Sequence, residues 1–195
     1  MGEIIEAVGG GISSGDAKTN RYFILNQGVS ESSVESLIKD IHEINRYDNE
    51  REKKEVGFKR KPIELVVNTY GGSVYDGFAL VSEILMSKTP IHTICQGKAM
   101  SMGFIIFLAG HKRFMTPFAT LMYHEISTFE WSDVTAIKRS VEEAERLAKI
   151  YDDYVLKRTN VLPDKLADVK EKRMNWFIGA DEAKKLNMCD ELIAC

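Results

Sequence analysis

The sequence predicts an α/β fold of one domain, in which helices pack on a mainly parallel sheet. Two observations support this prediction. First, two short apolar strands, Ile63 to Val67 and Ile91 to Cys95, are each followed by a glycine turn and an apolar helix. Strands that alternate with helices indicate parallel pairing through helical crossovers. Second, the chain has 195 residues, of which 44% are hydrophobic and 28% charged, as expected for one globular domain.

Net charge and hydropathy exclude several classes of protein. The formal net charge of −3 gives no general attraction to nucleic acid or to an anionic membrane surface. The longest apolar run, Phe104 to Ala109, is much shorter than the roughly 20 residues of a membrane-spanning helix. We therefore expect neither nucleic acid nor a membrane as a partner.

The cysteines and the N-terminal residues indicate a compartment. Cys95, Cys189 and Cys195 are odd in number and far apart, without a CxxC pair. This spacing argues against a disulfide scaffold or a zinc module and fits a reducing compartment. Residues 1–6 lack the basic start and apolar stretch of a secretory signal. We expect a soluble cytoplasmic protein.

Residues 1–20 predict a flexible N-terminal arm, because they contain Gly9-Gly10-Gly11 and Ser13-Ser14-Gly15. A frayed terminus and a functional loop both fit this composition. Residues 21–195 are expected to form a single domain.

The first elements of this domain are a short strand and an amphipathic helix. The strand covers Tyr22 to Leu25, and Ser30 is a suitable N-cap for a helix that continues to about Asn45. Apolar residues recur along that helix at helical spacing: Val34, Leu37, Ile38, Ile41 and Ile44. The stretch 46–62 mixes basic and acidic residues, which favours an exposed, solvated loop over a basic contact patch.

The two strand–turn–helix units come next. The helix after Gly71-Gly72 carries four apolar residues on one predicted face: Val74, Phe78, Val81 and Leu85. After the second strand, Gly97 leads to a short apolar helix that begins near Ser101. Two further β-type runs lie around Arg113 to Met115 and Thr120 to Tyr123.

The longest periodic segment, residues 132–156, predicts a long helix with Ser132 as N-cap and Asp133 at the positive end of its dipole. At 1.5 Å per residue such a helix extends roughly 37 Å, more than the core of a domain of this size requires. Part of its apolar face can therefore be buried against another subunit, although an ordinary long core helix also fits the pattern.

Ser101 is a candidate nucleophile within the segment Gly97-Lys98-Ala99-Met100-Ser101-Met102-Gly103. A strand that ends in a small-residue turn into a helix exposes the hydroxyl at the helix N-terminus. There the dipole and the free amides favour a developing negative charge. An N-cap role for the same serine fits the pattern as well.

The Gly71-Gly72 turn is a candidate oxyanion hole. Glycine lets the backbone approach a bound group closely and point N–H donors at it. Neither a GxGxxG nor a GxxxxGK[ST] phosphate pattern is present in the sequence. Two such turns on neighbouring parallel strands place an oxyanion donor beside a nucleophile, an arrangement that suits acyl transfer.

The general base is expected among four histidines. His42 lies on the charged side of a helix and His92 lies inside a strand, so both are expected to be structural or solvated. His111 lies in a loop beside two basic residues. His124 ends a strand, where a sheet protein presents catalytic groups, and we favour it over His111.

Further motifs stand in order along the chain: Asn68-Thr69-Tyr70-Gly71-Gly72-Ser73, Gly-x-Ala-x-Ser-Met-Gly at 97–103, Ala109-Gly110, Lys112-Arg113-Phe114, Pro117, Met122-Tyr123-His124 and Phe177-Ile178-Gly179-Ala180-Asp181-Glu182-Ala183 with Leu186 and Cys189-Asp190. With these motifs the sequence resembles the ClpP family, the proteolytic subunit of the Clp protease. The resemblance runs from about Tyr22 to Ile193. Several ordered motifs in register make this resemblance specific.

The resemblance implies a serine endopeptidase in which Ser101 is the nucleophile and His124 the general base. Gly72 and Met102 would supply the oxyanion-hole amides, and Gly71 and Ser73 would contact the substrate. No metal and no cofactor is required.

The resemblance also implies a ClpP/crotonase-like spiral of β-β-α units. The helix at 132–156 would be the handle by which two seven-membered rings stack into a chamber, and the arm at 1–20 would line an axial pore. The implied partners are unfolded polypeptides, further copies of the chain and an ATP-driven AAA+ unfoldase.

The sequence departs from the family at several positions. Asn175 stands where the family has the aspartate of the triad, and Tyr70 replaces a proline. An asparagine carbonyl can orient the imidazole but cannot stabilise it by charge. Asp168 or Asp181 could take this role, although Asp181 is expected to serve the start of the last helix.

Three alternatives to an active serine–histidine peptidase stay open. Asn175 allows a weakly active or structural ring subunit. A crotonase-type acyl-CoA enzyme is a second alternative, although the pairing of Ser101 with His124 argues against it. A Ser–Lys dyad using Lys98 is the third, with a solvated lysine as the competing interpretation.

Overall fold

Two sheets organise the computed structural model of this chain, which describes residues 20–126 and 133–193. The strands are β1 (Tyr22–Leu25), β2 (Ile63–Val67), β3 (Ile91–Cys95), β4 (Lys98–Met100), β5 (Lys112–Met115), β6 (Thr120–Tyr123), β7 (Trp176–Gly179) and β8 (Glu191–Leu192). The helices are α1 (Glu31–Lys54), α2 (Val74–Met86), α3 (Met102–Ala109), α4 (Val134–Arg158), α5 (Pro163–Glu171) and α6 (Ala180–Lys185). The predicted arm at 1–20 lies almost wholly outside the described residues.

The larger sheet has the strand order β1-β2-β3-β5-β8, and every neighbouring pair is parallel, as predicted. On one face Ile63, Leu65 and Val67 join the main core beneath the helices. On the other face Val66 packs with Ile94 and Phe114 in a second apolar cluster. On this second face the strands also carry the partly buried Glu64 and His92, so apolar and polar residues share it.

The smaller sheet has the order β4-β6-β7, with β4 and β6 parallel and β6 and β7 antiparallel. The chain passes from the large sheet to the small one twice, from β3 to β4 before α3 and from β5 to β6 before α4. These two strand–strand–helix units are the spiral that the resemblance implies. The three-residue strand β4 was not predicted from the sequence, because it pairs with β6, which belongs to the second strand–strand–helix unit.

Helix α1 is longer than predicted, because it continues through residues 46–54, which we expected to be loop. The side chain of Asp48 is fully buried and accepts hydrogen bonds from Arg21 and Thr89. Burial alone would raise the pKa of Asp48, but these hydrogen bonds lower it overall. The polar contact extends the buried face of the helix by one turn beyond Ile44, where an apolar pattern ends.

Helix α2 is present as predicted, but its predicted apolar face is buried only in part: Val81 is buried, and Val74 and Phe78 are partly buried against the core. Leu80, Val81 and Ile84 are buried, whereas Leu85 is 48% exposed. Gly77 allows α2 to pack closely on α3, since a Cβ atom there would lie 2.2 Å from Cγ of Met102.

Helix α4 matches the predicted long helix, but its N-cap is Asp133, whose carboxylate accepts from the amides of Thr135 and Ala136. Ser132, the predicted N-cap, lies outside the described residues. The buried residues of α4 are Leu147, Tyr151 and Val155, all in its C-terminal half. The N-terminal half therefore extends beyond the core of the domain.

Candidate active site

Ser101 lies in the turn between β4 and α3, with a φ of +52°. This left-handed conformation is strained for a residue other than glycine and is characteristic of functional turns. The Ser101 amide donates to the carbonyl of Met122 at 2.9 Å, and this hydrogen bond joins the turn to β6. Although Ser101 occupies the N-cap position of α3, its Oγ makes no capping hydrogen bond, so the side chain is not used as a cap.

His124 follows β6 directly, and its Nε2 lies 2.8 Å from Oγ of Ser101. Parallel pairing of β4 with β6 sets Met100 opposite Met122, so the two strands end at the same edge of the small sheet. This pairing brings together two residues that are 23 positions apart in the chain. The predicted serine–histidine pair is therefore in hydrogen-bond contact.

The imidazole of His124 is partly buried, and burial lowers its pKa from the ordinary value of 6.5. A histidine with a lowered pKa is neutral at pH 7, and only the neutral ring can accept a proton from a hydroxyl. The environment thus favours the protonation state that a general base requires.

The Gly71-Gly72 turn packs directly against Ser101. Gly71 and Gly72 have φ angles of +101° and +150°, which favour glycine. A Cβ atom at Gly71 would lie 2.7 Å from Cβ of Ser101, and one at Gly72 would lie 2.2 Å from the carbonyl oxygen of Val29. Gly71 is therefore required for the turn to approach Ser101, and Gly72 for the turn to approach Val29.

Two backbone amides beside Ser101 are available to a ligand. The Gly71 amide donates to Oγ1 of Thr69 at 3.1 Å. The amides of Gly72 and Met102, by contrast, have no acceptor in the described part of the chain. Gly72 and Met102 line a cavity of about 70 Å³ together with Ser101, His124, Val74, Ile126 and Tyr151.

A wider groove of about 400 Å³ adjoins this cavity and shares Val74 and Ile126 with it. Its far wall is α4, from which Ala144 and Leu147 supply apolar surface. Tyr75 closes one side by donating a hydrogen bond of 2.6 Å to Glu143 of α4. The groove can hold a side chain of a polypeptide whose backbone lies beside Ser101.

The amides of the two predicted substrate-binding residues are occupied within the protein. Gly71 donates to Thr69, and the Ser73 amide donates to the carbonyl of Val29 at 2.8 Å. Oγ of Ser73 accepts from the amide of Asp76 and caps α2. Contact of Gly71 and Ser73 with a substrate stays a prediction.

Asn175 directly precedes β7, as His124 directly follows β6. Tyr123 pairs with Trp176 at the end of the antiparallel register, so His124 and Asn175 are the next residues beyond that pair. Asn175 is exposed, and within residues 20–126 and 133–193 no hydrogen bond joins it to His124. Its role as the orienting residue stays a prediction.

The alternative aspartates lie elsewhere. Asp168 on α5 pairs with Lys172 at 2.5 Å, one turn further along the chain. Asp181 lies in the first turn of α6, as expected for a residue that serves the start of the last helix. Neither forms a hydrogen bond with His124 in the described residues.

The other three histidines and Lys98 have structural contacts. Nε2 of His42 lies 3.1 Å from Glu83, and the ring of His92 packs against Phe114. Nδ1 of His111 accepts from the amide of Ile91 at 3.0 Å. Nζ of Lys98 lies 4.4 Å from the ring centre of Tyr70, so the lysine stacks on the residue that replaces the family proline.

Tyr151 of α4 is the site residue that sequence reasoning missed. Its side chain is buried, and its hydroxyl donates to the carbonyl of Ser101 at 3.0 Å. In the sequence Tyr151 is one of seven apolar-periodic positions of the long helix, and nothing in that pattern distinguishes it from a core residue.

The described residues hold no cluster of three or more His, Cys, Asp or Glu side chains that could bind a metal ion. In the same ranges no helix combines the length and the apolar character that crossing a membrane requires.

Comparisons with known proteins identify the family and the fold. Residues 17–195 match the family model of the Clp protease. A protein of Deinococcus radiodurans described as an ATP-dependent Clp protease proteolytic subunit is 26% identical over 196 residues, covering 97% of this chain and 90% of the relative. A solved structure of a ClpP1 mutant from Listeria monocytogenes, which carries an asparagine-to-aspartate substitution, superposes with a TM-score of 0.76 at 19% identity. That match covers 91% of this chain and 94% of the other, and at 19% identity it shows a similar fold alone.

Proposed function

Because the chain belongs to the Clp protease family, we propose that it is a serine endopeptidase that hydrolyses unfolded polypeptides, with Ser101 as nucleophile and His124 as general base. The observation that carries this proposal is the hydrogen bond of 2.8 Å between Oγ of Ser101 and Nε2 of His124. A neutral imidazole at this distance can remove the hydroxyl proton as Oγ attacks a peptide carbonyl.

The reaction follows from the positions of these groups. Attack of Oγ on the carbonyl carbon forms a tetrahedral intermediate, whose oxyanion accepts hydrogen bonds from the amides of Gly72 and Met102. His124 then gives its proton to the amine leaving group, and an acyl-enzyme forms on Ser101. Water, deprotonated by His124, attacks the ester in the same manner and releases the acid product, which restores Ser101.

Asn175 is the proposed orienting residue for His124. Its side-chain carbonyl can accept a hydrogen bond from Nδ1–H of the imidazole, which leaves Nε2 unprotonated and directed at Ser101. The position of Asn175 and His124 as the next residues beyond the Tyr123–Trp176 pair supports this role.

The assembly that we propose is a homo-oligomer of two stacked rings that encloses the sites in a chamber. The N-terminal half of α4 supports it, because Val134, Ile137 and Val141 are between 39% and 70% exposed along one side of the helix. Such a stripe on a helix that extends beyond the core is typical of a subunit interface. Delivery of substrates by an AAA+ unfoldase, action in the cytoplasm and catalysis without a cofactor belong to the same proposal.

A second candidate function is a weakly active or structural ring subunit. The observation that favours it is Asn175, which stands at the position of the triad aspartate and makes no hydrogen bond to His124 in the described residues. Without an orienting group, His124 can adopt the wrong tautomer, in which Nε2 carries the proton.

Hydrolysis of an unfolded, fluorescently quenched polypeptide tests the proposal and separates the two candidates. We expect steady turnover by the unsubstituted chain, its loss in Ser101→Ala and His124→Ala, and no change in His42→Ala. His42 is an exposed histidine outside the site and serves as the matched control. Ring assembly without turnover would support the structural subunit and contradict the peptidase.

A further inference from the structure

The Ser101 carbonyl has an unusual set of donors. It accepts from the amide of Phe104 at 2.9 Å and from the hydroxyl of Tyr151 at 3.0 Å. The first bond closes the first turn of α3, whereas the second comes from α4, which is 50 positions away in the chain. Both lone pairs of this carbonyl are therefore occupied.

The carbonyl of Ser101 and the amide of Met102 belong to the same peptide group. A trans peptide is planar, and its C=O and N–H bonds point in opposite directions. Fixing the carbonyl of Ser101 therefore fixes the direction of the Met102 N–H, which lines the cavity beside Oγ of Ser101. A donor on the carbonyl also polarises the peptide and strengthens its N–H as a donor.

The hydroxyl of Tyr151 is itself held in place. Tyr151 is only 2% exposed, and its ring packs against that of Tyr123 with centroids 5.6 Å apart. Tyr123 donates a hydrogen bond of 2.5 Å to Asp152, the next residue of α4. Burial raises the pKa of Tyr151, so its hydroxyl stays protonated and acts as a donor.

From this geometry we infer that Tyr151 is a positioning residue, which aims the Met102 amide at the oxyanion of the tetrahedral intermediate. The inference rests on the proposed function. Tyr151 acts through the Ser101–Met102 peptide, because its hydroxyl donates to the carbonyl of that peptide. An oxyanion exists only in the transition state and the intermediate. Loss of the Tyr151 hydrogen bond should therefore lower kcat and leave KM unchanged.

The test compares Tyr151→Phe with a matched control, Tyr154→Phe, in the full chain. Both variants remove one buried hydroxyl from α4, but the hydroxyl of Tyr154 has no hydrogen-bond partner in the described residues. Loss of one neutral hydrogen bond corresponds to about a 3- to 10-fold change in rate. We expect kcat of peptide hydrolysis to fall by that factor in Tyr151→Phe, with KM and the pH profile unchanged, and Tyr154→Phe to match the parent chain.

Titration with a fluorophosphonate separates positioning from a merely structural role. If Tyr151 positions the amide, every Ser101 is still labelled in Tyr151→Phe, but more slowly than in the parent chain. A lower fraction of labelled chains with an unchanged rate would indicate partial misfolding and would overturn the inference, as would an unchanged kcat.

Crystal structures keep this inference distinct from the proposed function. If the parent chain neither hydrolyses peptides nor reacts with the fluorophosphonate, the proposed function fails. The structure of Tyr151→Phe then decides the inference on its own. A rotated Ser101–Met102 peptide supports it, and a peptide that keeps the ψ of −126° at Ser101 overturns it.

Discussion

His124 is the side chain whose protonation sets the pH dependence of the proposed reaction. Because burial lowers its pKa below 6.5, the ring becomes protonated only in more acidic solution. Protonated imidazole cannot accept the proton of Ser101, so kcat/KM should fall as the pH decreases, with an apparent pKa below 6.5. A pH profile of kcat/KM checks this expectation. An acid limb centred above 6.5 would assign the titration to another group.

Asn175 is the residue at which a single substitution should increase activity. In Asn175→Asp, a carboxylate at this position would fix the tautomer of His124 and stabilise the imidazolium ion. The reverse change lowers kcat about 10⁴-fold in a different serine protease, and we expect at least about a tenfold rise here. The rate of peptide hydrolysis is the measurement.

Asn160→Asp is the control for that substitution, because it adds the same charge at an exposed position outside the site. An equal rise in both variants would point to net charge rather than to orientation. An unchanged rate in Asn175→Asp would mean that another group orients His124.

Sequence reasoning found Ser101 and His124 because each follows a strand that ends in a recognisable signal. The parallel pairing of β4 with β6 brings these two side chains together in the structure. Tyr151 was not predictable in the same way, since its hydroxyl reaches Ser101 only after the C-terminal half of α4 has packed on α3. Local patterns identify reactive side chains, whereas the groups that position them depend on tertiary packing.

The C-terminal end of helix α1 also depends on tertiary contacts that the sequence pattern does not show. Its apolar periodicity ends near Ile44, but the helix continues to Lys54 because Asp48 is buried against Arg21 and Thr89. In a sequence pattern a carboxylate predicts a solvent-exposed position. Asp48 is satisfied only because Arg21, just before β1, and Thr89, two residues before β3, donate hydrogen bonds to it. Burial of a paired charge therefore extended the element beyond its apolar pattern.

Substitution of Asp48 tests this account of α1. Asp48→Ala would leave the guanidinium of Arg21 partly buried without its carboxylate partner, and breaking a buried pair costs about 3 kcal/mol. We expect the free energy of unfolding, measured with urea, to fall by about that amount. Glu50→Ala, two positions away on the exposed side of α1, should stay within about 0.5 kcal/mol of the parent chain.

The lowered pKa of Asp48 fixes the sign of the pH effect. Its contribution to stability is present above the ordinary value of 3.8 and is lost as the pH falls through the lower pKa of the folded state. A destabilisation of the alanine variant that is the same at pH 7 and in strong acid would contradict this account.

The arrangement of the molecule follows from the two strand–strand–helix units, which place the serine–histidine pair at the edge of the small sheet and direct α4 away from the core. The sequence predicted the length of α4 and the apolar stripe on it. It did not predict that the buried residues would be confined to the C-terminal half. One helix therefore supplies both a wall of the site and an exposed apolar surface.

Assembly should depend on that exposed surface. Val141 is 45% exposed, and Val141→Glu would place a charge in the proposed interface without disturbing the core. We expect the stacked rings to dissociate, as measured by sedimentation velocity, with the melting temperature of the separate subunits unchanged. Thr135→Glu adds the same charge outside the apolar stripe, about 120° around α4 from Val141 at about 100° per residue, and should leave the assembly intact. Dissociation by both variants would contradict an interface on the apolar side.

The proposed chemistry is tested most directly by covalent labelling with a fluorophosphonate, followed by mass spectrometry of the labelled peptide. The account predicts one label per chain on Ser101, formed at neutral pH, retained in His42→Ala and lost in His124→Ala. A chain that assembles but leaves Ser101 unlabelled, or that carries the label on another residue, would contradict the assignment of Ser101 and His124.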